Sequence, residues 1–228
     1  MLTNHRRAIG WSAVLLGAMI FVFAAVGRHP PELAPKTNLP FVGEFDLSVY
    51  HWMDDIRNGV LTLLARFLSV LGGGAVTIPL RITVAVWLAF RRRWRAFASW
   101  VITWAAAELI LSAAKTFFHR GRPPFPLVNV NGFSFPSGHA VAGAATAVAL
   151  VLVLLPAGPA RRRWEFVAIG FAFVMALSRV YLNAHWFSDV VAGVLLGAGV
   201  ALGSAGVVTE IRDVALRRRS RAAAAGHT

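Results

Sequence analysis

Apolar residues run along this chain in long blocks, separated by short stretches dense in arginine, proline or glycine. Residues 8–27 form the first block, behind His5, Arg6 and Arg7. About 20 apolar residues suffice for a helix to cross a bilayer. A cleaved signal peptide has an apolar core of only about 7–15, so the block predicts a retained first span. Residues 28–45 carry repeated prolines and predict a loop. Residues 46–71 mix Asp54, Asp55, Arg57 and Arg66 with Leu, Val, Phe and Trp, which predicts an amphipathic helix at the membrane interface. Gly72, Gly73 and Gly74 break that pattern. Further spans are predicted at about 75–90, 96–118, 137–155, 164–180 and 185–208.

Composition agrees. The chain has 228 residues, 57% hydrophobic and 14% charged; a soluble domain carries roughly 25% charged residues. The predicted class is all-α: a polytopic membrane protein with a six-helix bundle and an interfacial helix between the first two spans. Four regions follow: a transmembrane helix at 1–27, an extracytoplasmic loop and interfacial helix at 28–71, a five-helix core at 72–208, and a basic, disordered tail at 209–228.

The net charge of +13 changes the picture further. A basic balance suits nucleic acid only when the charge lines one soluble face. Here arginines cluster at 91–95, 161–163 and 217–221, between apolar blocks, so no nucleic-acid partner is implied. With six spans, these clusters and the N-terminus share one side. The positive-inside rule makes that side cytoplasmic, with both termini there, in the inner membrane. Without cysteine there is no thiolate metal site or disulfide. Arg81 and Glu108 fall inside predicted spans, at depths that differ by only ~4–5 Å. A lone charge there is costly, so the two are expected to pair.

The other side gathers three polar stretches. The first contains Lys115, Arg120, Arg122 and Pro123. The second is Pro136, Ser137, Gly138 and His139. The third holds Ser178, Arg179, His185 and Asp189. His185 and Asp189 are four apart, so on a helix they share a face. The carboxylate can take the proton of one ring nitrogen and leave the other as an oriented lone pair. Lys115, Arg122 and Arg179 have no matching acid nearby in sequence, and uncompensated cations imply an anionic ligand such as phosphate. A helix starting near Ser137 binds anions through its free N–H groups. Gly138 permits close approach, and Ser137 offers a hydroxyl.

Together these residues suit in-line substitution at phosphorus. His185 attacks, and His139 serves as general acid and then as general base on water. Arginine and lysine supply the charge, so no cofactor or metal is implied. Asp54 and Asp55 are read as surface acids in preference to a metal pair. His29, His51, His119 and His227 are read as interfacial residues, and Arg120 as a lipid-headgroup contact. A phosphotransferase and a non-enzymatic lipid-binding or transport protein are the alternatives.

The three stretches resemble the signature of the type 2 phosphatidic acid phosphatase family of lipid phosphate phosphatases: K-x6-R-P, P-S-G-H and S-R-x5-H-x3-D. Every signature position is matched. The resemblance implies a six-span bundle and metal-independent hydrolysis of phosphate esters or anhydrides. It implies His185 as nucleophile, Asp189 as its partner and His139 as acid, with Lys115, Arg122, Ser137, Gly138 and Arg179 on phosphate. The substrate would be a membrane lipid phosphate: undecaprenyl diphosphate, phosphatidylglycerol phosphate or phosphatidic acid. Vanadium-dependent haloperoxidases share this site but are soluble.

Overall fold

The computed structural model describes residues 2–28 and 37–225, which form eight helices among the described residues. They are α1 (Leu2–Val26), α2 (Pro40–Asp55), α3 (Gly59–Gly72), α4 (Gly74–Phe90), α5 (Trp94–Phe118), α6 (Gly138–Leu154), α7 (Pro159–Tyr181) and α8 (Phe187–Ala225). The described residues contain no strand. Five segments are long and apolar enough to cross a membrane, α3 and α4 counting together as Gly59–Phe90. The apolar α6 is shorter, at 17 residues.

Helix ends follow local chemistry. Pro40 and Pro159 open α2 and α7, where a missing N–H costs nothing. Asn58 caps α3, its side chain accepting from Leu61 N at 3.0 Å. Gly73 is extended (φ −78°, ψ 161°) and separates α3 from α4. The stretch 46–71 is therefore not one amphipathic helix. It is divided at Ile56–Asn58 into the end of α2 and most of α3, because Asn58 prefers to cap a new helix over continuing the old one. The basic tail also differs from expectation: α8 continues as helix to Ala225. Its run of alanine and arginine has high helix propensity and extends a helix already nucleated in the core.

The bundle is built on α8. Helices α1, α5, α6 and α7 all pack against it, and it is the most buried of the long apolar segments. Small residues permit this, as is usual between membrane helices. A Cβ added at Gly193 would lie 2.8 Å from Ser137 O, and one at Gly197 2.5 Å from Val141 O. Glycine at these two positions lets the start of α6 lie directly on the start of α8. Arg81 and Glu108 pair as expected, Nη1 to Oε1 at 3.0 Å. Arg81 Nε also donates to Thr146 Oγ1 at 2.9 Å and Nη2 to Ala142 O at 3.2 Å, so all three guanidinium nitrogens are used.

Candidate active site

Four chain segments converge at one end of the bundle. Helix α5 ends with His119 in the left-handed region (φ 50°), a helix-terminating conformation. That turn sends Arg120 into the protein. The loop that follows closes where Ser134 N donates to Arg120 O at 2.8 Å. Arg122 holds the loop: its guanidinium donates to the carbonyls of Asn131, Gly132, Phe133 and Ala184 at 2.6–3.2 Å. Lys115 Nζ reaches Phe133 O at 2.6 Å.

The start of α6 sits beside this loop. Ser137 N donates to Asp189 O at 3.0 Å, while its buried hydroxyl has no partner among the described residues. A Cβ at Gly138 would meet only Leu111 Cδ2, at an ordinary 3.6 Å, so packing does not demand glycine there. His139 lies against the α3–α4 junction, where a Cβ at Gly73 would come 3.4 Å from its Nε2. Lys115, Arg122, Arg179 and His185 are all within electrostatic reach of His139.

Arg179, in the last turn of α7, donates through Nη1 to Ser69 Oγ at 2.6 Å. Its buried Nε has no partner among the described residues. Among those residues, Lys115, Arg122 and Arg179 have no carboxylate within ion-pair distance. The sequence-based expectation of three uncompensated cations therefore describes the fold.

His185 and Asp189 meet, but not on one helix face. Helix α7 stops at Tyr181, and Ala184 N and His185 N both donate to Arg179 O, at 2.9 and 3.2 Å. His185 is thus in the turn before α8. Asp189 is the third residue of α8 and reaches back to Trp186 N at 2.9 Å, as the acid of a capping box does. The same carboxylate oxygen lies 3.4 Å from His185 Nδ1. On the other side of the ring, His185 Nε2 lies 3.2 Å from Arg122 Nη1. A guanidinium only donates, so Nε2 accepts and Nδ1 carries the proton. Burial lowers the imidazole pKa to about 4, despite the opposing pull of Asp189. The ring is therefore neutral near pH 7.

The sequence does not anticipate how Asp189 itself is held. Arg120 is not a headgroup contact. It is buried, with Nη1 2.5 Å from Asp189 Oδ1 and Nη2 2.7 Å from Asp46 Oδ2. Asp46, on α2, also accepts from Ser188 N at 2.8 Å and Ser188 Oγ at 2.6 Å. Ser134 Oγ donates to Asp189 Oδ2. No local pattern links positions 46, 120, 134 and 189; the sole hint is a second arginine two places before Arg122. The histidines read as interfacial have ordinary surroundings: His51 is exposed on α2, and the His119 ring meets Phe133 edge to face at 4.3 Å. His29 and His227 lie outside the described residues. Asp54 pairs with Arg57 and accepts from Asn183 Nδ2 at 3.3 Å, so it has partners of its own.

Known proteins resemble this chain in sequence and in fold. The decaprenylphosphoryl-5-phosphoribose phosphatase of Mycobacterium tuberculosis is 31% identical over 199 residues, covering 81% of this chain and 85% of that protein. An undecaprenyl-diphosphatase of Sulfolobus acidocaldarius is 30% identical over 166 residues, covering 69% and 75%. The crystal structure of a transmembrane PAP2-type phosphatidylglycerolphosphate phosphatase from Bacillus subtilis superposes with a TM-score of 0.74 at 25% identity, over 88% of this chain and 96% of that one. The model of the PAP2 superfamily matches residues 96–213. The chain belongs to the PAP2 superfamily and is a membrane phosphatase of lipid phosphates.

Proposed function

We propose that the enzyme hydrolyses lipid phosphates or diphosphates at the outer face of the cytoplasmic membrane through a phosphohistidine on His185, without a metal. The observation that carries this reading is the His185 ring. Its Nδ1–H faces Asp189 at 3.4 Å and its Nε2 lone pair accepts from Arg122 at 3.2 Å, so the attacking nitrogen is oriented toward a cation that a phosphate would engage in its place.

In the first step the Nε2 lone pair attacks phosphorus in line with the leaving oxygen. The P–O bond breaks, and His139 gives its proton to that oxygen. In the second step a water attacks the phosphoryl group and passes a proton to His139. The P–N bond breaks and phosphate leaves. Lys115, Arg122 and Arg179, with the hydroxyl of Ser137 and the N–H groups at Gly138, stabilise the phosphoryl oxygens. Asp189 keeps the His185 tautomer and balances the charge that the ring gains.

The reading includes six spans, with α6 as the short one surrounded by protein, and α2 at the interface. Arginines at 6–7, 91–95 and 161–163 then face the cytoplasm, and the site opens outward. Two similar proteins are named for polyprenyl-linked phosphates, which favours a polyprenyl diphosphate or polyprenyl-linked phosphate monoester, undecaprenyl diphosphate first. Purified enzyme with EDTA, assayed on undecaprenyl diphosphate, phosphatidylglycerol phosphate and phosphatidic acid, is expected to release phosphate. His185→Ala is expected to abolish release, and acid-labile ³²P is expected on the wild-type protein only. Full activity in His185→Ala overturns the mechanism. Transfer to an acceptor lipid without free phosphate favours the phosphotransferase.

A further inference from the structure

The end of the bundle away from His185 holds a cleft that the reaction does not use. Helices α1 and α7 both pack on α8, but among the described residues no Cα of one lies within 8 Å of a Cα of the other. The wedge between them is a cavity of about 660 Å³, within the usual range for a ligand site. Its walls are of two kinds. Trp11 and Leu15 of α1, Ile169 of α7 and Leu202 of α8 make an apolar floor and sides. Arg7, Arg161, Arg162 and Arg163 stand at its mouth, with Glu165 the one acid among the lining residues.

The charges at the mouth do not cancel. Glu165 is taken by Arg161, at 3.1 Å. Arg162 lies over the Phe166 ring, 5.8 Å from its centroid, and feels Glu165 only from beyond ion-pair distance, behind Arg161. Arg7 and Arg163 have no carboxylate within ion-pair distance among the described residues. An occupant must therefore be anionic at one end and apolar along its length. A free anion has no use for the floor, and a neutral lipid has none for the arginines. A basic pocket between membrane helices with apolar walls suits a phospholipid headgroup and acyl chain.

We infer that this α1–α7–α8 cleft binds one anionic phospholipid of the surrounding membrane, as a site separate from the catalytic centre. The phosphate sits among Arg7, Arg162 and Arg163, and an acyl chain lies along Leu15, Ile169 and Leu202. The lipid fills the wedge between two helices whose backbones stand apart, so it stabilises the native bundle by linkage. The inference stands on the cleft alone and does not depend on the reaction proposed for the other end.

The full chain in an uncharged detergent tests this by native mass spectrometry. Phosphatidylglycerol and phosphatidylcholine with matched acyl chains are the probes. The wild type is expected to retain a one-to-one phosphatidylglycerol adduct with a preference on the order of 10–100-fold, from about a factor of five per unmatched arginine. The triple variant Arg7→Gln, Arg162→Gln, Arg163→Gln is expected to lose that preference. Ala8→Trp keeps the arginines and fills the cleft from α1, and it too is expected to lose the adduct. Both variants are compared at matched elution and helix content. Adducts unchanged in both variants place the lipid elsewhere and overturn the inference. Loss in the arginine variant alone reduces the site to surface adsorption and also overturns it. Displacement by millimolar inorganic phosphate, with no dependence on acyl length, identifies a free-anion site instead.

Discussion

The Arg120 guanidinium holds one oxygen of Asp189 at 2.5 Å and leaves the other oxygen to face His185. Burial opposes the charge on Arg120, but Asp189 and then Asp46 more than offset it, and its pKa is raised. Asp189 is thus fixed from behind by a permanent cation that is itself fixed by α2. In the proposed mechanism Arg120 is a positioning residue that acts through Asp189.

Removing Arg120 leaves Asp46 and Asp189 buried without their counter-charge. Arg120→Leu is expected to destabilise the fold by about 3–5 kcal/mol, the usual cost of breaking a buried pair from one side. Thermal unfolding in detergent measures this. Asp46→Asn keeps the shape and removes one charge, so it is expected to be milder. Its kcat is expected to fall with KM nearly unchanged, because Asp46 touches neither phosphate nor His185. A larger change in KM than in kcat counts against a positioning role.

Gly138 separates packing from substrate approach. A methyl there meets only Leu111 Cδ2, at 3.6 Å, and alanine is the better helix former by about 0.5–1 kcal/mol. Gly138→Ala is therefore expected to leave stability equal or slightly raised. Activity is expected to drop about 10-fold or more if, as proposed, phosphate approaches the first N–H groups of α6 there. Unchanged turnover shows that phosphate does not come that close.

Arg81 and Glu108 are unequally buried, 3% and 47% exposed at their side chains. Glu108→Leu leaves the buried Arg81 with Thr146 and the Ala142 carbonyl but no counter-charge. Arg81→Met with Glu108→Leu removes both charges. The double variant is expected to be more stable than Glu108→Leu alone, with a coupling of about 0.5–3 kcal/mol. Melting temperatures of the two single variants and the double variant measure it. Additive effects show that the ion pair contributes nothing of its own.

His185 titrates low. Its folded pKa is depressed from 6.5 to about 4 by burial, so the ring binds its proton only below the usual histidine range. The proposed nucleophile is then neutral at pH 5.5, where an exposed imidazole is mostly charged. In ¹⁵N-histidine-labelled protein, a neutral Nδ1–H ring that vanishes in His185→Ala is expected to persist at pH 5.5. A His185 ring that protonates near 6.5 contradicts the buried, Arg122-facing geometry.

The residues of the site were legible because chemistry restricts them. Lys115, Arg122, Ser137, Gly138, His139, Arg179, His185 and Asp189 keep short spacings within three stretches, and all three emerge at one end of the bundle. Five long apolar segments were legible because bilayer thickness imposes a length on apolar runs, and the Arg81–Glu108 pair because burying either charge alone in a bilayer is so unfavourable. The break between α2 and α3 was less visible, since a cap such as Asn58 outweighs an amphipathic pattern only once α3 has a surface to pack on.

Other features were decided by tertiary structure alone. His185 and Asp189 share a spacing that a helix face explains, yet the fold uses a turn and a capping box. Asp46 and Arg120 are 74 positions apart, and Arg120 and Asp189 are 69 apart. No periodicity joins them; they meet because glycines at 193 and 197 draw α6 onto α8 and the 119–137 loop is clamped by Arg122. Sequence alone determines which groups are expensive to bury and where the long apolar helices lie. Which buried charge answers which depends on how closely the helices approach, and side-chain volume at the contacts decides that.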